Sequence, residues 1–575
     1  MSFSSDESPT ASLPSSPSSS SSASTATSLS GGDLNEYRAP LNGEAPEPSI
    51  DGTSIGGGEG GVRAESLDEI TDEDKKLALS LKSQANAHFT GSRYREALDL
   101  YTASLNKNPF DPIVWSNRAA VRLKLEEYGL GVADASRAIE LDNRAVKAYY
   151  RRALANLAIL KPKAAIVDFK KVIQLDPKNA AAKSQLDATQ KLIRRLAFEA
   201  AIAGKEEEPA SVTIQKQLDD GASPLPSDYD GPRLEDDSRP TAEFVDAMVA
   251  HFKAGKLLPK RIVWQILLGA YGVLKEEETL VDVLIPEGQT VDVIGDVHGQ
   301  FYDFLHLLSL TGTPSPTHTL VFDGDLVDRG SWSVEILLTV FCYKWLYPQN
   351  VFINRGNHET SDMNRVYGYE GESTKKYGPQ TFKLSEEIFT ALPLATLITA
   401  SLPPRPDASP NPPNPTLHKG VKRFFVVHGG LFSRDDVTLD DVRAIPRMKI
   451  KQPGQEGLMC EMLWTDPQDA PGRGPSKRGV GLGFGPDITR AWTEANEVTA
   501  VIRAHEVRQG GYSVEHGGLL VTVFSAPNYV DQVGNLAAFA RIDDSGEMKF
   551  TTFDAQPHPS HIKPMMYAGG MMAGM

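Results

Sequence analysis

Two cysteines, Cys342 and Cys460, are all that the 575 residues contain. So few thiols exclude a disulfide framework and fit a reducing compartment, cytoplasmic or nuclear. They also exclude a thiolate cluster, so any metal site must use His, Asp, Glu or Asn. Positive charge is short as well: 59 Lys and Arg against 75 Asp and Glu leave a formal charge of −16. That argues against nucleic acid or a membrane surface as partner, because both need a basic face. No apolar run approaches about 18 residues, so no membrane span is expected. The opening MSFSSDESPT has no apolar stretch of the kind a secretory signal needs. What is there suffices for packed cores: 40% of residues are hydrophobic and 8% aromatic, over a length with room for two to four domains.

Composition divides the chain. Residues 1–30 hold 15 serines, and Gly-rich and acidic stretches follow. Such a segment buries too little apolar area to offset its ordering entropy, so 1–72 is expected to be a disordered extension. From residue 78 a spacing of 34 sets in. Ala85, Ala119 and Ala153 follow it, as do Tyr94 and Tyr128, while Tyr101 and Phe169, and Pro109 and Pro177, lie 68 apart. Each unit reads as two amphipathic helices closed by a turn, with small residues allowing close approach. This pattern resembles the tetratricopeptide repeat. Three repeats, the minimum for a continuous core, fill 73–204, with a helix from Lys178 to Gly204 as cap. The acidic, Pro- and Gly-containing stretch 205–240 reads as a linker. A second domain is expected over 241–552, and seven prolines within 401–416 mark a surface insertion in it. Residues 553–575 form a C-terminal tail.

In the second domain five apolar strands each run straight into a polar loop. They deliver Asp296 and His298 (TVDVIGDVHG), Asp325, Asp328 and Arg329 (TLVFDGDLVDRG), Asn357 and His358 (NVFINRGNHE), His428 (KRFFVVHGGL) and His505 (AVIRAHEV). Ligands of α/β proteins collect at the carboxyl ends of strands. Carboxylate, amide and imidazole without thiolate suit manganese, iron or zinc in an open site. Six such ligands are more than one ion needs. Two ions can share one carboxylate and lower the pKa of a water between them. Arg329 and Arg478 offer the planar fork that matches phosphate oxygens.

These segments resemble the phosphoprotein phosphatase family of serine/threonine phosphatases. GDVHG (295–299), GDLVDRG (324–330), RGNHE (355–359), HGGL (428–431), KRGV (477–480), RAHEV (503–507) and SAPNY (525–529) stand in that family's order. The resemblance implies an α/β metallophosphatase domain, a central β-sandwich flanked by helices, behind an all-α repeat array. It implies Asp296 and His298 on one metal, Asp325 bridging, and Asn357, His428 and His505 on the other. The two divalent ions are expected to be manganese, iron, zinc or magnesium, with manganese serving in vitro. His358 matches the general acid and Asp328 the carboxylate that orients it. Arg329, Arg478, Asn357 and Tyr529 match groups that hold the phosphoryl oxygens or border the cleft. The implied reaction is one-step, in-line attack by metal-bound hydroxide on phosphoserine or phosphothreonine in protein substrates. Val530 stands where many relatives carry cysteine. A metallophosphoesterase acting on nucleotides and an adaptor with an inert domain are the alternatives, and no implied ligand is missing.

The repeat groove has its own chemistry. Lys82 and Asn86 are four apart on one helix face, Lys147 and Arg151 on another, and Asn117 matches them in the second repeat. In the repeat-bearing branch of the family these positions clamp the acidic C-terminal tail of the ninety-kilodalton heat-shock chaperone, and Lys124 is expected to add to the clamp. A linker of 36 residues would give the array a high effective concentration over its own catalytic cleft. Glu126 and Glu127 are available to meet a cationic cleft. The apolar tail, with Met565, Met566, Met571, Met572 and Met575, is expected to hold the array there. Autoinhibition, relieved by a chaperone tail, is what the family resemblance then implies.

Overall fold

The computed structural model describes residues 70–202, 208–234, 239–400 and 421–564. The Ser-rich extension up to residue 69, the Pro-rich insertion and the five tail methionines lie outside the described residues. Among the described residues no helix is long and apolar enough to cross a membrane.

Six helices pair in sequence: α1 (Asp72–Thr90), α2 (Tyr94–Lys107), α3 (Pro112–Lys124), α4 (Tyr128–Leu141), α5 (Val146–Ala158) and α6 (Pro162–Leu175). α7 (Ala180–Ile202) follows as the expected cap. Local chemistry sets the boundaries. Asp111 caps α3 by accepting from the Ile113 and Val114 amides, and Pro112 takes the first position, where no partner for its nitrogen is needed. The residues at the 34-residue spacing are the core. Ala85, Ala119 and Ala153 are fully buried, and Tyr101 and Phe169 pack among them. A polar repeat runs in step with the apolar one: Arg118 and Asp134, then Arg152 and Asp168, form two-pronged pairs at 2.7–2.9 Å.

The stretch 205–240 departs from the linker expectation. It contains α8 (Ala210–Asp219), whose Ile214 and Leu218 are buried in the core of the second domain. Ser211 adds two hydrogen bonds to Glu387. Four-residue spacing puts Ile214 and Leu218 on one helical face, a signal the acidic surroundings hide. α9 (Ala242–Lys253) and α10 (Lys260–Leu274) continue the same core.

Among the described residues fourteen strands follow: β1 (Leu280–Ile285), β2 (Thr290–Ile294), β3 (Thr319–Phe322), β4 (Val351–Ile353), β5 (Ala395–Ala400), β6 (Lys422–Val427), β7 (Asp466–Pro467), β8 (Arg473–Pro475), β9 (Leu482–Phe484), β10 (Ala500–Arg503), β11 (Gly510–Glu515), β12 (Leu520–Val523), β13 (Leu536–Asp543) and β14 (Met548–Phe553). Eleven form one mixed sheet in the order β1-β5-β6-β10-β12-β11-β13-β2-β3-β4, with β14 on β13; β7-β9-β8 form a small second sheet. The large sheet curls so that its halves face each other. One apolar cluster joins Val291, Val293 and Val321 from one half to Ile398, Val426 and Ile502 from the other. Alternate residues point outward: Ile294, Leu320 and Phe322 to one helical layer, Phe425, Val427 and Val501 to the other. The expected sandwich flanked by helices is this curled sheet.

The array is seated on this domain. Leu130 N donates to Lys477 O at 3.2 Å. A Cβ at Gly129 would lie 2.6 Å from Gly479 N, so glycine is what permits the approach. Tyr367 Oη donates to Ala158 O at 3.4 Å, Arg195 pairs with Glu370, and Leu160, Ala188 and Leu192 pack on the catalytic core. The tail's described part, 554–564, lies on the second domain instead of the array: Gln556 N donates to Asp303 and Ile562 joins the core.

Candidate metal centre and its cleft

The site is assembled where five parallel-running strands end. Asp296 lies beyond β2, Asp325 beyond β3, Asn357 beyond β4, His428 at the end of β6 and His505 beyond β10. The turns are tight, and His298, Asp325, Asp328, Arg329 and His505 all hold φ between 43° and 71°. Non-glycine residues seldom occupy that region, and such strain concentrates at functional sites. Close backbone packing fixes Asp325 further: a Cβ at Gly356 would lie 2.2 Å from Asp325 Oδ1. Glu359, unremarked in its motif, accepts the Asp325, Leu326 and Gly356 amides.

All six expected metal ligands converge. His298 Nδ1 donates to Val327 O at 2.9 Å, which turns Nε2 inward, 3.3 Å from Asp325 Oδ2 and 3.7 Å from Asp296 Oδ2. His428 Nδ1 donates to Asp323 O at 2.7 Å, turning its Nε2 toward Asp325 Oδ2 (3.4 Å), Asn357 Oδ1 (3.0 Å) and His505 Nδ1 (3.1 Å). Asp325 Oδ2 thus lies between the two imidazoles. Asp296 Oδ1 accepts the His505 amide at 3.0 Å. With both Nδ1 protons committed to carbonyls, the Nε2 lone pairs of His298 and His428 face the oxygens of Asp325 and Asn357. Cations satisfy such a set, so the residues fit divalent metal.

Electrostatics agree. Burial, then the neighbouring Asp325, pushes Asp296 up to about 7. Burial likewise raises Asp325 well above the carboxylate range and holds His298, His428 and His505 below the usual imidazole value. Carboxylates so buried need positive charge beside them to stay ionised.

His358 stands next to the cluster, 4.7 Å ring to ring from His298. Its Nδ1 donates to Asp328 Oδ2 at 2.8 Å. Asp328 is fully buried and also accepts from Asn364 Nδ2 (3.0 Å) and the Tyr369 amide (2.8 Å). Burial pushes Asp328 up to about 7. Asn364 and Tyr369 are members of the site that no motif of the sequence marks.

Arg329 rests 3.9 Å over the Tyr367 ring. Arg478 is oriented by Asp466 Oδ2 (2.7 Å) and His505 O (2.7 Å). Both arginines and Tyr529 meet a carboxylate from the array. Glu126, in the turn between α3 and α4, accepts from Arg329 Nη2 at 2.6 Å and from Tyr529 Oη at 3.4 Å, with Arg478 at 3.8 Å. Tyr128 Oη accepts a further 3.2 Å bond from Arg329. Glu127 turns away and pairs with Arg95 and Arg122.

Of the five residues expected to form the clamp, Asn86, Asn117, Lys147 and Arg151 line clefts of the array. A cleft of about 360 Å³ is lined by Lys124, Lys147, Arg151 and Asn179 among others, and a neighbouring one of about 210 Å³ by Asn86, Asn117 and Arg151. Among the described residues Arg151 has only neutral hydrogen-bond partners, Ser116 (2.7 Å) and Asn117 (3.3 Å), and burial pulls it down to about 10. Lys82 is engaged with Asp111 at 3.0 Å. Lys124 lines the groove and also donates to Gln532 of the second domain at 3.2 Å.

Comparison with known proteins meets this geometry. Calcineurin-like phosphoesterase matches residues 289–509, and the PPP5 TPR repeat region matches 186–282. Human serine/threonine-protein phosphatase 5 is 42% identical over 498 residues, 86% of this chain and 94% of that protein. The chain belongs to the serine/threonine-protein phosphatase 5 family. Another member, serine/threonine-protein phosphatase T of Aspergillus oryzae, is 46% identical over 506 residues, 88% of this chain and all of that protein. A Saccharomyces cerevisiae protein serine/threonine phosphatase with similarity to human phosphatase PP5 matches in structure, with 40% identity and a TM-score of 0.51. That match covers 57% of this chain and all of the yeast one. As a phosphatase 5 family member this chain is a metal-dependent protein phosphatase with a tetratricopeptide-repeat region.

Proposed function

We propose that the chain hydrolyses phosphoserine and phosphothreonine in proteins at a centre of two divalent cations, and that its own repeat array holds it shut. Asp296, His298 and Asp325 would hold one ion, and Asp325, Asn357, His428 and His505 the other. When bound, the ions supply Lewis acidity and lower the pKa of a water at the site. The chain's residues do the rest. Arg329 and Arg478 present guanidinium N–H groups to the phosphoryl oxygens, with Asn357 and Tyr529 at the border of the cleft. His358, held by Asp328 through Nδ1, gives a proton from Nε2 to the departing serine or threonine oxygen. No phosphoenzyme is formed on cysteine: Cys342 and Cys460 are buried, and burial pushes the Cys460 thiol up to about 12. The convergence of six acceptors, Asp325 Oδ2 among them between the His298 and His428 imidazoles, carries this reading. Release of phosphate from a phosphoserine peptide, dependent on manganese and abolished by chelation, tests it.

The Glu126 carboxylate supports the regulatory half. It stands on the two arginines and the tyrosine that a phosphate needs, as a substrate mimic would. A charged hydrogen bond of this kind contributes about 1.5–3 kcal/mol. Glu126→Ala is therefore expected to raise basal hydrolysis by about tenfold or more; an unchanged rate would reject the contact as a restraint.

The groove is suited to an acidic peptide terminus such as a chaperone C-terminal tail. Among the described residues Arg151 has no carboxylate partner, and two amides, Asn86 and Asn117, stand beside it in the groove. Lys147→Ala or Arg151→Ala is expected to abolish calorimetric binding of such a peptide, and amidating the peptide to do the same. A ligand there would favour the open enzyme by its differential affinity. Equal affinity of the amidated peptide would contradict the clamp.

A further inference from the structure

The loop after β12 is strained beside the site. Asn528, Val530 and Asp531 hold φ of 42°, 51° and 59°, and a β-branched valine is strongly disfavoured there. A conformation of this kind persists only where its surroundings over-determine it. Inside the domain, Tyr529 N donates to Asn535 Oδ1 at 2.9 Å and Gly534 N to Asn528 Oδ1 at 3.0 Å. The Tyr529 ring then lies 5.3 Å from that of His298.

The other support comes from residues 554–564. Gln556 N donates to Asp303 Oδ1 at 2.6 Å, and Asp303 Oδ2 accepts from Gln300 Nε2 at 2.8 Å. The same Gln300 donates to Pro527 O at 2.8 Å and accepts the Val530 amide at 3.3 Å. His558 reaches the far end of the loop directly, with Nε2 donating to Asp531 Oδ1 at 3.0 Å. Its ring lies 5.3 Å from that of Trp332, tilted by 31°. Trp332 follows Arg329 by three residues. Ile562 anchors the segment in the catalytic core, against Gly255, where a Cβ would lie 2.8 Å from Ile562 Cδ1. The segment therefore engages both ends of the strained loop and the edge of the arginine turn.

We infer that residues 554–564 are a strap that holds Tyr529 in the phosphate cleft, with His558 as a positioning residue acting through Asp531. The inference rests on the reading of Tyr529 as a border of the phosphate site. The strap works in the open enzyme as well, because its hydrogen bonds and ring contacts among the described residues are all to the second domain.

Two readouts test it in the full chain carrying Glu126→Ala, where the array no longer contacts Tyr529 through that carboxylate. One is amide exchange at residues 528–532, the other KM for a phosphoserine peptide. His558→Ala is expected to speed exchange at Val530 and Asp531. It should also raise KM about three- to tenfold with kcat little changed, the scale of one partly exposed charged hydrogen bond. Asp531→Asn should match it, and the two together should add nothing further. His558→Gln places an N–H near the same spot and should restore both readouts, whereas His558→Asn should not. Unchanged exchange and KM in His558→Ala, or equal defects in the Gln and Ala variants, would overturn the inference. Tyr529→Phe separates the premise: if KM does not move in that variant, the phosphate role of Tyr529 fails, while the exchange data still judge the strap.

Discussion

Asp325→Asn should reduce kcat toward a phosphoserine peptide by about three orders of magnitude or more, because several kcal/mol of transition-state charge stabilisation depend on the shared anion. The geometry makes this a clean substitution. Asp325 Oδ1 accepts the His358 amide at 2.9 Å, and the Asp325 amide donates to Glu359 at 2.8 Å. An asparagine keeps both bonds and the buried shape. What changes is the inward atom, Oδ2, which faces His298 Nε2 at 3.3 Å and His428 Nε2 at 3.4 Å. An amide N–H₂ in its place donates to those imidazoles and satisfies them without any cation. Hydrolysis near the wild-type rate with manganese supplied would remove the bridging role.

The second large effect belongs to His358. General acid catalysis contributes about 10²–10⁴-fold, and His358→Asn should lower kcat by that range. Geometry alone leaves a choice, since His298, Asp325 and His358 lie close enough to hold an ion together. Two observations favour the acid. Asp328, Asn364 and Tyr369 form a dedicated support behind its Nδ1. His298, by contrast, is turned inward by a plain carbonyl, as a ligand would be. The variant is therefore expected to retain both metals while losing rate. Loss of an ion on elemental analysis would make His358 a ligand instead.

Much of the site was legible because its residues lie in short motifs tied to strand ends. Asp296, Asp325, Asn357, His428 and His505 needed only the recognition that an apolar strand had just finished. The repeat array was legible because its buried alanines and aromatics keep a fixed spacing. What stayed hidden depends on partners far away in the chain. Glu126 and Glu127 are adjacent acids in one turn, and nothing local says that the first faces Arg329 and the second Arg122. The left-handed turn at Glu126, φ 60°, decides it. Asp466, which aims Arg478, lies 12 residues from it in an unremarkable stretch. α8 was obscured by composition: two buried residues, Ile214 and Leu218, outweigh an acidic and Pro-rich neighbourhood once α10 and the helix Pro379–Ala391 offer them a surface. The tail was read for its methionines, which lie outside the described residues, whereas His558 and Gln556 make the contacts that matter.

The central claim is that these buried acceptors hold two ions on which phosphate release depends. Elemental analysis of the full chain, stripped by chelator and reloaded with manganese, tests it most directly when phosphoserine-peptide hydrolysis is followed on the same samples. The account predicts about two ions per chain at saturation, hydrolysis rising with their occupancy, and a fall in both for Asp325→Asn. Full activity in the stripped chain, or two ions still bound by Asp325→Asn, would contradict it.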